Sequence, residues 1–353
     1  MNKRKKVVII SVASFFIVFG SIFAYIWVQL SSYRHVTIDR SNESLGITEP
    51  PPKPEKVAEQ RREDIIHIAL FGVDRRSEKD LGRSDAMMIA TIDFKHDKIK
   101  LSSLMRDIYV PIEEYGHTKL NHAYAYGGAE LAIKTINQNF GTDIRDYVTV
   151  DFFTLEKIID AIGGIELLVK EEEIEAINHF MEETARIQNK EVIPIVESGI
   201  QRLNGMQAVS FARIRSVGNG DFERTDRQRQ VLSAILQEVK RQGSSAIPSL
   251  LLKISPHIET SLDQGTILSL GYEYFKHQPM ELEQQRFPLD DEWQSMRING
   301  VWYMDANIEE LREKIQAYLY EDISPNPPTK ELPTDSHEYQ NDSTEYRSLN
   351  HLQ

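Results

Sequence analysis

The chain has 353 residues, enough for one large or two ordinary domains with an ample core, and carries a formal net charge of -13 from 54 Asp+Glu against 41 Lys+Arg. That acidic balance argues against general nucleic-acid binding, which needs a broad basic face for the phosphate backbone. Cysteine is absent, which removes disulfides, thiolate nucleophiles, lipoprotein acylation and Cys-type zinc or iron sites together.

Residues 1–6 form a short basic head containing Lys3, Arg4, Lys5 and Lys6. Residues 7–30, VVIISVASFFIVFGSIFAYIWVQL, are uncharged and long enough to cross a bilayer core of about 30 Å. The positive-inside rule keeps the head in the cytoplasm and places everything after the span outside the cell membrane, as a single-pass protein. A cleaved signal peptide competes with this reading, but the apolar run exceeds a typical h-region and no A-x-A site follows, so an uncleaved anchor is favoured. Residues 31–62 are polar and include Glu49-Pro-Pro-Pro-Lys-Pro54, which predicts a semi-stiff linker. Residues 63–322 form the expected folded body. The Pro- and acid-rich stretch 323–353 is expected to be disordered.

Within the body, Ile65 to Phe71 reads as a buried strand ending at Gly72, and Ala86 to Ile92 pairs by hairpin with Lys98 to Ser102 across a turn at His96 and Asp97. Helical periodicity marks 129–138, 153–162 and 224–240, with weaker helices at 248–255, 267–275 and 308–318 and strands near 147–151 and 165–169. The two alternating periods predict an α/β fold with a single mixed β-sheet flanked by helices. Met87, Met88, Met105 and Met206 read as core filler rather than a ligand-binding set.

Arginines gather at Arg213-Ile-Arg215 and at Asp221-Phe-Glu-Arg224-Thr-Asp-Arg227-Gln228. Extending the apolar stripe of Val231, Leu232, Ile235, Leu236 and Val239 backwards at about 100° per residue puts Arg224 and Gln228 near its centre. Arg227 and Arg229 then flank the stripe, and Asp226 lies opposite. An inward guanidinium needs a partner, either an internal carboxylate such as Asp221, Glu223 or Asp226 or an anionic ligand. Asp221 is an N-cap candidate, and a helix start favours phosphate. A second group, Asp74-Arg75-Arg76, Arg83-Ser84-Asp85 and Arg106-Asp107, sets carboxylates and arginines at strand ends. Such carboxylates can hold a hard divalent cation against phosphate oxygens, or can be turn residues bonding their own backbone.

The ordered motifs GVD, GRSD, SLMRD, KLNHAYAYGG, LNGMQAVSFARIR and DFERTDRQRQ closely resemble the LytR-CpsA-Psr family of cell-wall assembly proteins, over essentially the whole body. The resemblance implies a transferase that moves an anionic glycopolymer, such as teichoic acid or capsule, from a polyprenyl diphosphate carrier to peptidoglycan. The acceptor it implies is the C6 hydroxyl of N-acetylmuramic acid, and the product linkage is a phosphodiester. It further implies that Asp74 and Asp85 bind Mg²⁺, while Arg83, Arg106, Arg213, Arg215, Arg224 and Gln228 contact the lipid-linked diphosphate. Arg227 and Asp221 fall in the same motif, Arg227 as a further substrate-binding residue and Asp221 as a candidate for orienting or deprotonating the acceptor. Lys119 and Asn121 lie in KLNHAYAYGG with a ligand or a structural role. Met105 stands where proline is often expected. Glu223, where glycine is frequent, could pair with a site arginine. The carrier tail calls for an apolar channel. Two other classes stay open: a hydrolase releasing polyprenyl phosphate to water, and a transcription attenuator, which the lack of a helix-turn-helix pattern and an external location disfavour.

Overall fold

The computed structural model describes residues 33–48, 65–75, 82–218, 220–243, 249–250, 253, 258–277 and 280–325. The predicted anchor, most of the 248–255 helix and the tail beyond 325 lie outside the described residues. None of the described helices is long and apolar enough to cross a membrane.

Seven strands make one mixed sheet in the order β1-β10-β7-β2-β3-β4-β11: β1 (Arg34–His35), β2 (Ile65–Asp74), β3 (Arg83–Asp93), β4 (Lys98–Leu104), β7 (Asp146–Asp151), β10 (Glu259–Thr260) and β11 (Glu281–Phe287). The predicted hairpin is present as β3 and β4, which pair antiparallel from Met88↔Ser103 to Asp93↔Lys98. Strand β2 lies antiparallel to β3 and parallel to β7, so the sheet is mixed as its sequence pattern implied. Near its end β2 shifts register between Gly72 and Val73. A Cβ on Gly72 would come within 2.9 Å of the Ala86 side chain, so the close approach of the two strands there requires glycine.

One face of the sheet is covered by α1 (His122–Phe140) and α7 (Ile308–Glu321). Phe71, Ile89, Leu104, Ile133, Phe140, Ile315 and Leu319 form the main core between them. A second layer contains α2 (Phe152–Ala161), α3 (Ile174–Gln188), α4 (Gly205–Arg213) and α5 (Asp221–Gln242), with the hairpin of β8 (Ile165–Val169) and β9 (Gly199–Leu203). Ile159, Ile177, Met181, Phe211 and Val231 are its core. Helix α5 joins the layers, because Leu232 and Leu236 on its other side pack on Ile99 and Leu101 of β4. Helix α6 (Gln264–Lys276), the short hairpin β5 (Tyr109–Ile112) and β6 (Gly116–Lys119), and the hairpin β12 (Trp293–Ile298) and β13 (Val301–Ala306) complete the body. All four methionines expected as core filler are buried.

The boundary of the body lies earlier than expected. Part of the segment assigned to a linker, 33–48, is packed: β1 pairs with β10, Leu45 is fully buried and Ile47 nearly so in the main core. Asn137 donates to the Leu45 carbonyl at 2.8 Å. Val36 with Ile38 and Leu45 with Ile47 are two short apolar pairs separated by a polar run, too little periodic signal to read as elements, which is why composition alone reads this stretch as a spacer.

Helix α5 is also braced by an ion pair. Arg227, 3% exposed, donates from Nε to Glu173 at 2.8 Å, and its Nη1 and Nη2 reach the carbonyls of Ile214 and Val217, each at 3.3 Å. Glu173 lies in the 3₁₀ turn Glu171–Glu173 before α3 and is equally buried. Arg227→Ala should therefore cost about 3–5 kcal/mol by leaving a buried carboxylate unpaired. Leu45→Ala should cost about 2–5 kcal/mol through the cavity it leaves. Urea unfolding of the full-length protein checks both, and a wild-type midpoint for Leu45→Ala would show that 33–48 is a spacer after all.

Candidate active site

The site is built where the bulged end of β2 and the start of β3 meet the N-terminus of α5. The two strands supply Asp74, Arg83 and Asp85, with Asp74 paired to Arg83 across the ladder. The loop after β4 supplies Arg106 and Asp107, and its backbone is pinned on three sides. Met105 N–H donates to the Phe287 carbonyl at 2.9 Å, while the Arg106 and Asp107 carbonyls accept from Asn121 at 3.1 Å and Met304 at 2.9 Å. A fixed backbone holds Arg106 in one place. The turn between α4 and α5 supplies Arg215, and α5 supplies Asp221, Arg224 and Gln228.

Two carboxylates link three guanidiniums. Asp85 meets Arg106 in a close contact and Arg215 at 3.5 Å. Asp221 meets Arg106 at 2.8 Å, Arg224 at 3.4 Å and Arg215 at 3.5 Å. Arg106 has all three nitrogens engaged, since its Nε also reaches Asp107 at 3.2 Å. Burial pulls the Arg106 pKa down, but Asp85, Asp221 and Asp107 outweigh it and hold the guanidinium above its ordinary range. Lys119 neutralises Asp107 at 2.5 Å. Three arginines against Asp85 and Asp221 leave the cluster cationic. Nearby, burial first, then Arg83 and Lys119, holds His122 below the usual histidine range, consistent with positive potential on this side.

Arg224 is the residue least provided for. It is 3% exposed, yet among the described residues its Nε and Nη1 have no hydrogen-bond partner, and neither does Gln228 Oε1. Both line a pocket of about 190 Å³ together with Asp74, Asp85, Arg213, Arg215, Phe152, Phe180 and Ala212. That is about six water volumes, room for a head group rather than an isoprenoid chain. Phe152, Phe180 and Ala212 give this pocket an apolar wall.

Of the residues singled out from sequence, Asp74, Asp85, Arg213, Arg215, Arg224 and Gln228 thus share one pocket, with Arg106 and Asp221 directly behind it. Arg213 is held between the Phe152 and Phe180 rings, 5.2 and 4.8 Å away, and pairs with Glu183 at 3.0 Å. Arg83 is exposed at the start of β3 and does not line the pocket. Arg227 is not brought to it either; its nitrogens serve the brace to Glu173. Two local expectations are corrected. Gly220 occupies the N-cap position of α5, and Asp221 is the first helical residue, its carboxylate drawn to arginines instead of to backbone N–H groups. Glu223 makes no ion pair with a site arginine among the described residues. Its side chain lies against Gly218, where an added Cβ would fall 2.5 Å from its carboxyl carbon. Lys119 and Asn121 act on the loop, the first through Asp107 and the second through its own N–H.

Sequence reasoning assigned no role to Asp107, which orients Arg106, or to Glu173, which anchors Arg227. Asp107 follows Arg106 directly, and that adjacency was the available signal. Glu173 sits in a run of three glutamates where nothing distinguishes the inward one. The donor set of Asp74 and Asp85 fits Mg²⁺, which takes one or two carboxylates and completes its shell from phosphate and water. A tight group of three ligand-type side chains among the described residues lies elsewhere, at Asp93, His96 and Asp322. Lys98 and Lys100 already neutralise it.

The profile of the LytR_cpsA_psr family matches residues 31–318. The polyisoprenyl-teichoic acid–peptidoglycan teichoic acid transferase TagU of Bacillus mycoides is 28% identical over 329 residues, covering 90% of this chain and 99% of the relative. Among solved structures, TagT bound to LI-WTA superposes with a TM-score of 0.61 at 23% identity, over 81% of this chain and 99% of the other. YwtF (TagT) with bound octaprenyl pyrophosphate lipid does so with a TM-score of 0.58 at 22% identity, over the same shares. These structures share the mixed sheet and its flanking helices. With the profile spanning most of its length, the chain belongs to the LytR_cpsA_psr family.

Proposed function

We propose that this protein transfers an anionic glycopolymer, of the teichoic acid or capsule type, from a polyprenyl diphosphate to a hydroxyl of peptidoglycan, the C6 hydroxyl of N-acetylmuramic acid. The observation that carries the reading is Arg224, a buried cation whose Nε and Nη1 have no hydrogen-bond partner among the described residues and whose side chain lines a pocket with Arg213, Arg215, Asp74 and Asp85. Relatives named as teichoic acid transferases, and a solved relative holding octaprenyl pyrophosphate, support a lipid-linked diphosphate as the anion.

In this reading Arg224, Arg215 and Arg213 bind the non-bridging oxygens of the diphosphate, with Gln228 alongside and Arg83 at the rim. The acceptor oxygen attacks the phosphorus nearer the polymer. A bond forms between that oxygen and phosphorus, the bridging P–O bond breaks, and polyprenyl phosphate leaves with its electron pair. The acceptor proton passes to a base, for which Asp221 is the candidate on this chain. Arg106, fixed by three carboxylates, supplies permanent positive charge behind the reacting centre, where preorganised charge contributes most. Asp74 and Asp85 would hold Mg²⁺, which when bound adds Lewis-acid neutralisation of phosphate charge. The 7–30 segment would anchor the chain so that the body works on the outer side of the membrane, beside its carrier and wall substrates.

Transfer by the full-length protein in detergent, with a polyprenyl-diphosphate glycan, peptidoglycan strands and Mg²⁺, should yield the phosphodiester. Arg224→Ala should lower the rate by about 10³, on the scale of other phosphoryl-transfer arginines; a mutant with wild-type rate removes that residue from the chemistry. Release of polyprenyl phosphate at the same rate without acceptor would instead identify a hydrolase. Asp74→Asn should raise the Mg²⁺ concentration needed for half-maximal rate and leave the unfolding midpoint unchanged, and an unaltered Mg²⁺ titration would exclude Asp74 as a ligand.

A further inference from the structure

A larger groove adjoins the diphosphate pocket. It has a volume of about 610 Å³ and is lined by Glu172, Glu175, Ala176, His179, Phe180, Arg215, Ser216 and Val217. Phe180 and Arg215 line both spaces, so the groove opens onto the place where the diphosphate would sit. Its size lies within the range of small-ligand sites, about 300–1,000 Å³.

The groove differs from the pocket in charge. Glu172, Glu175 and His179 are exposed on successive turns of one wall, while Arg215 is its single arginine. Among the described residues, Arg215 is drawn toward Asp85 and Asp221 on the pocket side, whereas neither Glu172 nor Glu175 makes an ion pair. Two free carboxylates, an imidazole and the Ser216 hydroxyl suit a hydroxyl-rich ligand, since carboxylates accept strong hydrogen bonds from hydroxyls. The same carboxylates repel a polyanion.

The two walls are tied together. Arg227 grips Glu173 on the 3₁₀-turn wall with Nε and the Ile214 and Val217 carbonyls on the opposite wall with its two terminal nitrogens. One buried side chain thus sets the groove's width, which gives Arg227 a positioning role away from the diphosphate.

We propose that this groove is the acceptor subsite, taking a hydroxyl-rich saccharide without net negative charge, with Glu172, Glu175 and His179 as its recognition residues and Arg227 as the brace. The inference rests on the transferase reading for the role of its ligand. Charge separates the substrates: the anionic donor is drawn to the arginine pocket and excluded from the acidic groove, so the acceptor hydroxyl enters from the Phe180 and Arg215 side.

The test uses the full-length protein in detergent and two variants, the double substitution Glu172→Ala with Glu175→Ala, which removes the recognition carboxylates without introducing a cation, and Ala176→Trp, which fills the groove without altering charge. Two quantities are read: binding of an uncharged β-1,4-linked N-acetylglucosamine tetrasaccharide by titration, and the half-saturating concentrations of donor and of peptidoglycan strands in transfer. Both variants should weaken tetrasaccharide binding and raise the acceptor's half-saturating concentration at least about tenfold, with the donor's within about twofold. Unchanged acceptor values in both variants, or an equal change for donor and acceptor, would overturn the subsite. If the wild-type protein binds the tetrasaccharide in a variant-sensitive manner yet makes no phosphodiester, the groove stands as a saccharide site and the transferase reading falls.

Discussion

A guanidinium nearly sealed from water must be answered by negative charge, and the protein answers Arg224 incompletely. Its Nη2 reaches Asp221 and the Asp85 carbonyl at 3.4 and 3.5 Å, while Nε and Nη1 have no partner among the described residues. Leaving a charged donor buried and unsatisfied costs on the order of 1–3 kcal/mol or more, an expense proteins carry at functional sites. The surrounding structure makes that arrangement tolerable. Asp85 and Asp221 distribute their charge over Arg106, Arg215 and Arg224, and Arg106 is locked by a third carboxylate and a pinned loop.

Helix α5 is what makes the arrangement possible, because it is buried on more than one side. Its Val231 side enters the core of the helical layer, its Leu232 and Leu236 side rests on β4, and its first turns face the strand ends. A helix so placed carries polar residues inward at several angles. Arg224, Arg227 and Arg229 are all nearly buried, each with a different partner set: the pocket and Asp221, the Glu173 brace, and Asp226. Burial, with Arg286 adding to it, brings the Arg229 pKa down to about 10.

Much of this was legible in the sequence where a single period dominated. The β3–β4 hairpin, the long helix read over 224–240 and the gathering of Asp74, Asp85, Arg213, Arg215, Arg224 and Gln228 follow from alternation, an apolar stripe and ordered motifs. What escaped had mixed or hidden patterns. Helix α4 buries eight of its nine residues, and a helix covered all round shows no amphipathic contrast. Strand β11, ELEQQRF, is an edge strand with a largely polar sequence. Arg227 and Arg224 look alike on a helical wheel, and only the position of Glu173 across the layer separates a structural arginine from one facing the pocket.

The early start of the body bears on how far the protein can roam. Tyr33, three residues past the end of the apolar run at Leu30, already hydrogen-bonds the Leu262 carbonyl at 3.0 Å, and Arg34 next to it is paired in the sheet. Three residues span at most about 11 Å. With 7–30 as the proposed anchor, the catalytic body would have almost no leash: it would ride at the height of the lipid head groups, where a carrier's diphosphate lies. Polymer and wall would then have to come down to it.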